Sequence, residues 1–144
     1  MPVKTLLQLH EGLRLKPYQC TANKQTIGYG RNLDDKGVTQ SEADLMLDND
    51  IAEVTIELER KLWFMSELDE VRRSVLIDMA FNMGVAGLMK FSITLSHVED
   101  REYMLASVEM LDSKWAREDV GKDRSMRLSN MMHSGEWPPE LRGT

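Results

Sequence analysis

The residues best suited to chemistry stand close together near the N-terminus. Glu11 is followed after eight residues by Cys20, and Cys20 after five residues by Thr26. Cleavage of a glycosidic bond needs an acid that protonates the leaving oxygen and a second group that places or activates a nucleophile on the other face of the sugar. A carboxyl, a thiol and a hydroxyl could share those tasks. Spacing alone is weak support, because most glutamates in a chain with 29% charged residues are solvated surface groups.

These three residues need elements that bring them together, and the surrounding sequence predicts a short helix and a hairpin. Leucines mixed with polar residues predict an amphipathic helix over residues 3–11, which ends near Gly12. Aromatic and β-branched residues over 15–30 predict strands, with a turn at residues 21–24. The helix end and the hairpin could therefore face one cleft.

The rest of the chain predicts helices. Thr39 and Glu42 have the spacing of a capping box, in which two side chains satisfy free amides at the start of a helix expected over residues 40–59. Ser66 or Asp69 could cap the next helix, which carries a wide apolar stripe. Three further helices are predicted over residues 91–98, 101–111 and 123–133.

The predicted fold class is α+β and mainly helical, with two lobes in one domain over residues 1–144. A small β lobe at about residues 12–38 is joined by the helix at 40–59 to a larger helical lobe at 60–144. We expect the helix at 3–11 to pack with the larger lobe. Two lobes joined by one helix imply a cleft.

Composition excludes several classes of protein and site. The formal net charge of -6 is spread along the chain, so nucleic acid is a poor candidate partner. No apolar stretch has the length of a signal-peptide core or a membrane span, so we expect synthesis in the cytoplasm and no stable membrane association. The single cysteine excludes an internal disulfide. Because no His or Cys pair has the usual ligand spacing, we expect no metal and no cofactor.

Several blocks of sequence carry a family resemblance, and together they cover nearly the whole chain. They are HEGLRLKPY at residues 10–18, TIGYG at 26–30, and residues 68–73, 81–84, 91–95 and 114–115. In this order they resemble the bacteriophage lysozymes, the endolysins with muramidase activity. The resemblance implies a lysozyme-like fold and a glycoside hydrolase. Its implied target is the β-1,4 bond between N-acetylmuramic acid and N-acetylglucosamine in peptidoglycan.

The resemblance also implies roles for individual residues. The family pattern is a glutamate, eight residues, an aspartate or less often a cysteine, five residues and a threonine. Glu11 is then the general acid, while Cys20 and Thr26 hold the attacking water for a single displacement with inversion. The other implied site residues are Asn32, Phe81 and Thr94 for substrate binding and Arg124 for support of the glutamate. An aromatic residue on an apolar helix is as readily a core residue.

The proposed chemistry depends on what surrounds the acid and on the role of a cysteine at position 20. A general acid must hold its proton near neutral pH, which an apolar pocket favours, and Leu7, Leu13 and Tyr29 are the expected walls. An ordinary thiol is only about 3% thiolate at pH 7. Attack by Cys20 on the sugar would give a thioglycoside, whose sulfur leaves reluctantly. We therefore hypothesise that Cys20 positions or deprotonates water.

Two other functions stay open at this stage. A lytic transglycosylase also uses one glutamate, but it needs no water-placing pair, so Cys20 and Thr26 favour hydrolysis. A catalytically inactive wall-binding module would fit the missing aspartate and the acidic net charge. The preferred interpretation, an endolysin, implies a monomer that reaches the periplasmic cell wall only after a phage pore protein, a holin, opens the inner membrane.

Overall fold

The computed structural model describes residues 3–142, and the chain divides into two units on either side of the Leu47–Asp48 bond. Residues 1, 2, 143 and 144, which the predicted domain includes, lie outside the described residues. The predicted class, mainly helical α+β with a lysozyme-like fold, is confirmed. The predicted lobe boundaries and the packing of residues 3–11 stay predictions.

The first unit contains a helix, a small sheet and the start of a long helix. Its elements are α1 (Val3–Glu11), β1 (Arg14–Gln19), β2 (Gln25–Gly28), β3 (Arg31–Asn32) and the first part of α2 (Gln40–Lys61). The strands are antiparallel in the order β1-β2-β3, and Thr26 lies opposite both Tyr18 and Asn32. Pro17 fits β1 because this is an edge strand, where a missing amide is tolerated. Strand β3 was not predicted, since two residues are too few to show an alternating pattern.

The turns of the first unit use residues with positive φ. At the end of α1, Gly12 has φ 69° and its amide donates to the carbonyl of Gln8 at 3.1 Å. In the turn between β1 and β2, Asn23 has φ 61° and its amide donates to the carbonyl of Cys20 at 2.8 Å. Glycine and asparagine tolerate this left-handed region better than other residues. The predicted helix end and the predicted hairpin turn are both confirmed.

Helix α2 begins with the predicted capping box. The Thr39 amide donates to Oε1 of Glu42 at 2.8 Å, and the Glu42 amide donates to Oγ1 of Thr39 at 3.2 Å. Each side chain thus satisfies an amide that has no partner within the helix. The first helical residue is Gln40, as the sequence predicted.

The second unit is helical. After a 3₁₀ turn, its helices are α3 (Glu70–Met83), α4 (Val85–Met89), α5 (Ser92–Glu99), α6 (Tyr103–Leu111) and α7 (Lys122–Ser134). Helix α3 packs against α4 and α7, and α6 packs against α5 and α7. The three later helices lie within two residues of the predicted bounds, whereas the short α4 and a π-helical turn at Trp115–Asp119 were not predicted. None of the helices in residues 3–142 combines the length and apolar content needed to cross a bilayer.

The core of the second unit consists mainly of aliphatic and methionine side chains. Asp69 caps α3 by accepting a hydrogen bond from the Arg72 amide at 3.1 Å, and the predicted apolar stripe of that helix is buried. The side chains with no exposed surface are Leu58, Met65, Val75, Leu76, Met79, Leu88, Ala106, Met110 and Met132. Methionine suits such a core because its flexible thioether fills irregular space.

Candidate active site

The three predicted catalytic residues lie on consecutive elements of the first unit. Glu11 is the last residue of α1, Cys20 directly follows β1, and Thr26 lies in β2. The β1–β2 pairing brings Cys20 and Thr26 together, and the Thr26 hydroxyl hydrogen-bonds to the Cys20 sulfur. Two of the three groups are therefore in contact.

Hydrogen bonds to its sulfur change the acidity of Cys20. A bond from the Lys24 backbone contributes most, followed by the Thr26 hydroxyl and the Ala22 backbone, and together they lower the pKa of the Cys20 thiol. These donors favour the thiolate because a charged acceptor gains more from a hydrogen bond than a neutral one. The thiol is also partly exposed, so it is accessible to solvent. More of Cys20 is therefore present as thiolate near neutral pH than of an ordinary cysteine.

The hydroxyl of Thr26 has a second partner. It donates to the carbonyl of Lys24 at 3.0 Å, and the same carbonyl accepts the Cys20 amide at 2.9 Å. Since a hydroxyl has one hydrogen, Thr26 donates either to this carbonyl or to the sulfur of an ionised Cys20. Its lone pairs can accept a hydrogen bond in either case. Thr26 itself is 4% exposed, which fixes the hydroxyl in place.

The carboxylate of Glu11 lies against Gly30. A Cβ atom at position 30 would stand 2.8 Å from Oε2 of Glu11, and Gly30 has φ 80°. Glycine therefore meets two requirements there, a left-handed backbone and room for the carboxylate. Gly30 was not among the predicted site residues, although it is the last residue of the TIGYG block. Glu11 is exposed, and Leu7, Leu13 and Tyr29 are each about half exposed, so the expected walls do not enclose the carboxylate within this unit.

Asn32, predicted to bind substrate, uses its side chain in the turn after β3. Its Nδ2 donates to Oδ2 of Asp35 at 3.0 Å, and its Oδ1 accepts the Asp35 amide at 3.1 Å. Asp35 also forms an ion pair with Lys24 at 3.3 Å, so this turn is tied to the loop between β1 and β2. A contact of Asn32 with substrate would have to share or replace these bonds.

The other predicted residues belong to the second unit and differ in accessibility. Phe81 on α3 is 45% exposed, so much of its ring is open to solvent and is not core. Thr94 on α5 is 2% exposed, yet it contributes to the lining of a surface cavity of about 190 Å³ beside Phe91. Arg124 on α7 donates from Nε and Nη2 to Oδ1 of Asp78 at 3.0 and 2.7 Å. Its charge is therefore paired with an acidic residue of α3.

Among residues 3–142, no three His, Cys, Asp or Glu side chains cluster in a way that could hold an ion. The groups available for catalysis in the first unit are a carboxyl, a thiol and a hydroxyl. Such a set can transfer protons and orient water.

Comparison with known proteins identifies one family. The model of the phage lysozyme family matches residues 8–130. An endolysin from Acyrthosiphon pisum secondary endosymbiont phage 1 is 33% identical over 124 residues, covering 83% of this chain and 81% of that protein. The Dictyostelium discoideum protein named probable T4-type lysozyme 1 is 26% identical, covering 92% of this chain and 94% of its own. The pre-baseplate central spike protein Gp5 of Enterobacteria phage T4 is 24% identical, and the match covers 28% of it.

Proposed function

Because the chain belongs to the phage lysozyme family, we propose that it is an endolysin muramidase. It hydrolyses the β-1,4 bond between N-acetylmuramic acid and N-acetylglucosamine in peptidoglycan and thereby lyses a bacterial host. The observation that carries the proposal is the contact between Cys20 and Thr26 in the unit that also holds Glu11. Glu11, Cys20 and Thr26 follow one another with the order and spacing of the family pattern.

Glu11 is the general acid of the proposed reaction. It gives its proton to the glycosidic oxygen as the bond from that oxygen to the anomeric carbon breaks. The carboxylate is exposed in the free protein, so the glycan itself must displace water from it. Loss of water favours the protonated form, which the reaction needs. Contact with Gly30 limits the directions in which the carboxyl group can move.

Cys20 and Thr26 supply the nucleophile. A water molecule donates one hydrogen bond to the Cys20 thiolate and another to the lone pair of Thr26, and its oxygen attacks the anomeric carbon. The thiolate takes the proton of the attacking water while Glu11 loses its own, and exchange with solvent restores both groups. One displacement inverts the configuration at the anomeric carbon. The lowered pKa of Cys20 supports this role, because more thiolate is present near neutral pH.

Three further residues are proposed to bind the substrate. Asn32, Phe81 and Thr94 contact the sugars, with the exposed ring of Phe81 as the flat apolar surface on which a sugar face packs. The family resemblance assigns Arg124 to the support of the glutamate; a guanidinium favours a carboxylate over a carboxylic acid, and the pair with Asp78 offsets part of that charge. The proposed endolysin is a monomer that a holin releases to the periplasmic wall.

The test is the chemistry of the products from purified peptidoglycan. Hydrolysis forms new reducing ends, and inversion gives the α-anomer first, which proton NMR detects before mutarotation. Glu11→Gln should lower the rate by about 10²- to 10⁴-fold, the usual contribution of a general acid. Glu53→Gln, on the exposed surface of α2, is the matched control and should retain full activity.

Each alternative has its own product. Anhydro-sugar ends in place of reducing ends would identify a lytic transglycosylase. Binding to the wall with neither product would identify an inactive wall-binding module. A β-anomer formed first would replace the single displacement with a covalent intermediate.

A further inference from the structure

The side chain of Arg31 connects three segments of the first unit. Its Nη1 donates to the carbonyl of Gly37 at 3.0 Å and to Oε1 of Glu42 at 2.9 Å, and its Nη2 donates to Oε2 of Glu42 at 2.7 Å. Arginine and glutamate thus form a bidentate pair, the geometry in which such pairs are strongest. The side chains are 27% and 39% exposed, so solvent reaches them only in part. β3, the following loop and the start of α2 meet at this guanidinium.

Glu42 is fixed from its other side as well. Its Oε1 also accepts the Thr39 amide of the capping box at 2.8 Å. The hydrogen bonds from Arg31, and after them those from Thr39, lower the pKa of Glu42 to about 2. The carboxylate is therefore charged at any pH at which the protein would act. Arg31 is therefore bonded to a helix start that is itself capped by Thr39.

Strand β3 depends on an anchor of this kind. It is two residues long and lies at the edge of the sheet, with Ile27 opposite Arg31 and Thr26 opposite Asn32. So short a strand has few backbone hydrogen bonds of its own and gains little from pairing alone. Besides the bond from the Leu33 amide to the Gln25 carbonyl at 2.7 Å, side-chain contacts of Arg31 and Asn32 outside the sheet hold β3 in position.

The residues next to the anchor are those of the active site. Gly30 directly precedes Arg31 and contacts the Glu11 carboxylate. Thr26 pairs with Asn32 and hydrogen-bonds to Cys20. A shift of β3 would therefore move the support of Glu11 and the strand that carries Thr26.

We propose that Arg31 is a positioning residue for the active site. Its bonds to Glu42 and Gly37 hold β3 so that Gly30 supports Glu11 and Thr26 stays against Cys20. The effect on catalysis rests on the proposed muramidase function, whereas the effect on Cys20 does not. Both are measurable in the full-length protein.

The first test compares three variants at two charged pairs. Arg31→Gln removes the charge and the bidentate bonds, and Arg31→Lys keeps the charge without that geometry. Arg117→Gln is the matched control, because it breaks an exposed pair with Asp112 in the second unit. We expect kcat on peptidoglycan to fall about tenfold or more in Arg31→Gln with little change in KM, since small misplacements of reacting groups lower rates steeply. Arg31→Lys should be intermediate, and Arg117→Gln unchanged.

The second test uses the Cys20 thiol and needs no substrate. The rate of alkylation by iodoacetamide, measured against pH, reports the thiol pKa. In Arg31→Gln the Thr26 bond to sulfur weakens, and the midpoint of the profile moves upward toward that of an ordinary thiol.

If Arg31→Gln fails to fold, Arg31→Lys must show a smaller shift of the midpoint in the same direction. An unchanged profile in a folded Arg31 variant overturns the proposal, whatever its activity. A wild-type protein that forms no reducing ends would instead reject the muramidase function and leave the alkylation test decisive for Arg31.

Discussion

Different interactions stabilise the first unit and the second unit. Among the described residues of the first unit, Thr26 is the one buried side chain, and its turns and strands are tied by hydrogen bonds and ion pairs around Asp35 and Glu42. The second unit has an extensive core of leucine, valine and methionine. The proposed catalytic groups therefore stand where apolar packing is sparse. Polar contacts position them, whereas apolar burial stabilises the helices of the second unit.

The chain offers a separate probe for each unit. All three tryptophans, Trp63, Trp115 and Trp137, belong to the second unit, and the single cysteine belongs to the first. Tryptophan fluorescence thus follows unfolding of the second unit, while the pH profile of Cys20 alkylation reports the surroundings of the thiol in the first. Changes in the two units can be compared within one molecule.

The largest effect on stability should come from the core of the second unit. Met79 has no exposed surface, and Met79→Ala should lower the free energy of unfolding by about 2–5 kcal/mol, because a cavity replaces the lost contacts. Urea titration followed by tryptophan fluorescence measures it. Met104→Ala, at a position 59% exposed, is the control and should change stability by about 0.5 kcal/mol or less. Equal losses in both variants would contradict the dependence of the second unit on its buried core.

The largest effect on activity after loss of the acid should come from Cys20. Cys20→Ala leaves Thr26 to hold the water alone, and we expect about a 10²-fold loss of kcat, within the usual range for acid–base groups. Cys20→Asp should keep activity and extend it to lower pH, because an aspartate is already ionised at about pH 4. Cys20→Ser separates the tasks, since a hydroxyl orients water but does not take its proton at neutral pH.

The pH profile of the wild-type enzyme gives the same information without a substitution. Because the pKa of Cys20 is lowered, activity that depends on the thiolate should rise with pH and level off below the ordinary thiol value. Full activity in Cys20→Ala would show that the cysteine only packs the hairpin. A covalent sugar adduct on Cys20 would show that it is the nucleophile.

A smaller effect is expected at Gly30. An added Cβ would meet the Glu11 carboxylate, which is the movable end of a side chain, so the clash displaces the acid at little cost to folding. Gly28→Ala is the matched control, because Gly28 also has a positive φ, 70°, but nothing lies within 4 Å of its added Cβ. Both variants carry the backbone cost of about 1 kcal/mol. We expect Gly30→Ala to be about tenfold less active than Gly28→Ala. Equal activities would mean that Gly30 does not support the acid.

The sequence predicts the features that local patterns determine. The Thr39 and Glu42 spacing predicted the start of α2 correctly, and the apolar stripe of α3 predicted its buried face. These signals lie within one or two helical turns. The pairing of Arg31 with Glu42 could not be predicted, because it joins residues eleven apart through a loop whose path no local pattern specifies.

The contact of Glu11 with Gly30 could not be predicted either, because it also joins residues that are distant in the sequence. A glycine in a motif indicates a turn or a close approach, but the sequence does not name the atom that approaches. The bonds of Asn32 to Asp35 show the converse, a residue assigned to substrate whose side chain also closes a turn. Local patterns therefore predict elements well, whereas partners across loops require the fold.

The smallest expected effect concerns acid stability and the ion pair of Glu42. Because its pKa is lowered to about 2, the stabilisation from this pair is complete above the unfolded pKa of about 4.3 and is lost as pH falls toward 2. Glu42→Gln keeps an oxygen for the capping box but has no charge to lose. Between pH 6 and pH 3 the wild type should therefore lose more hydrogen-exchange protection of the β1–β2 amides, corrected for the pH dependence of exchange itself, than Glu42→Gln does. Glu140 of the second unit, whose pKa is lowered chiefly by its own backbone amide, provides the comparison. Glu140→Gln should change the acid dependence of tryptophan fluorescence less. If the two substitutions had equal effects, the polar contacts of the first unit would be no more important to it than those of the second.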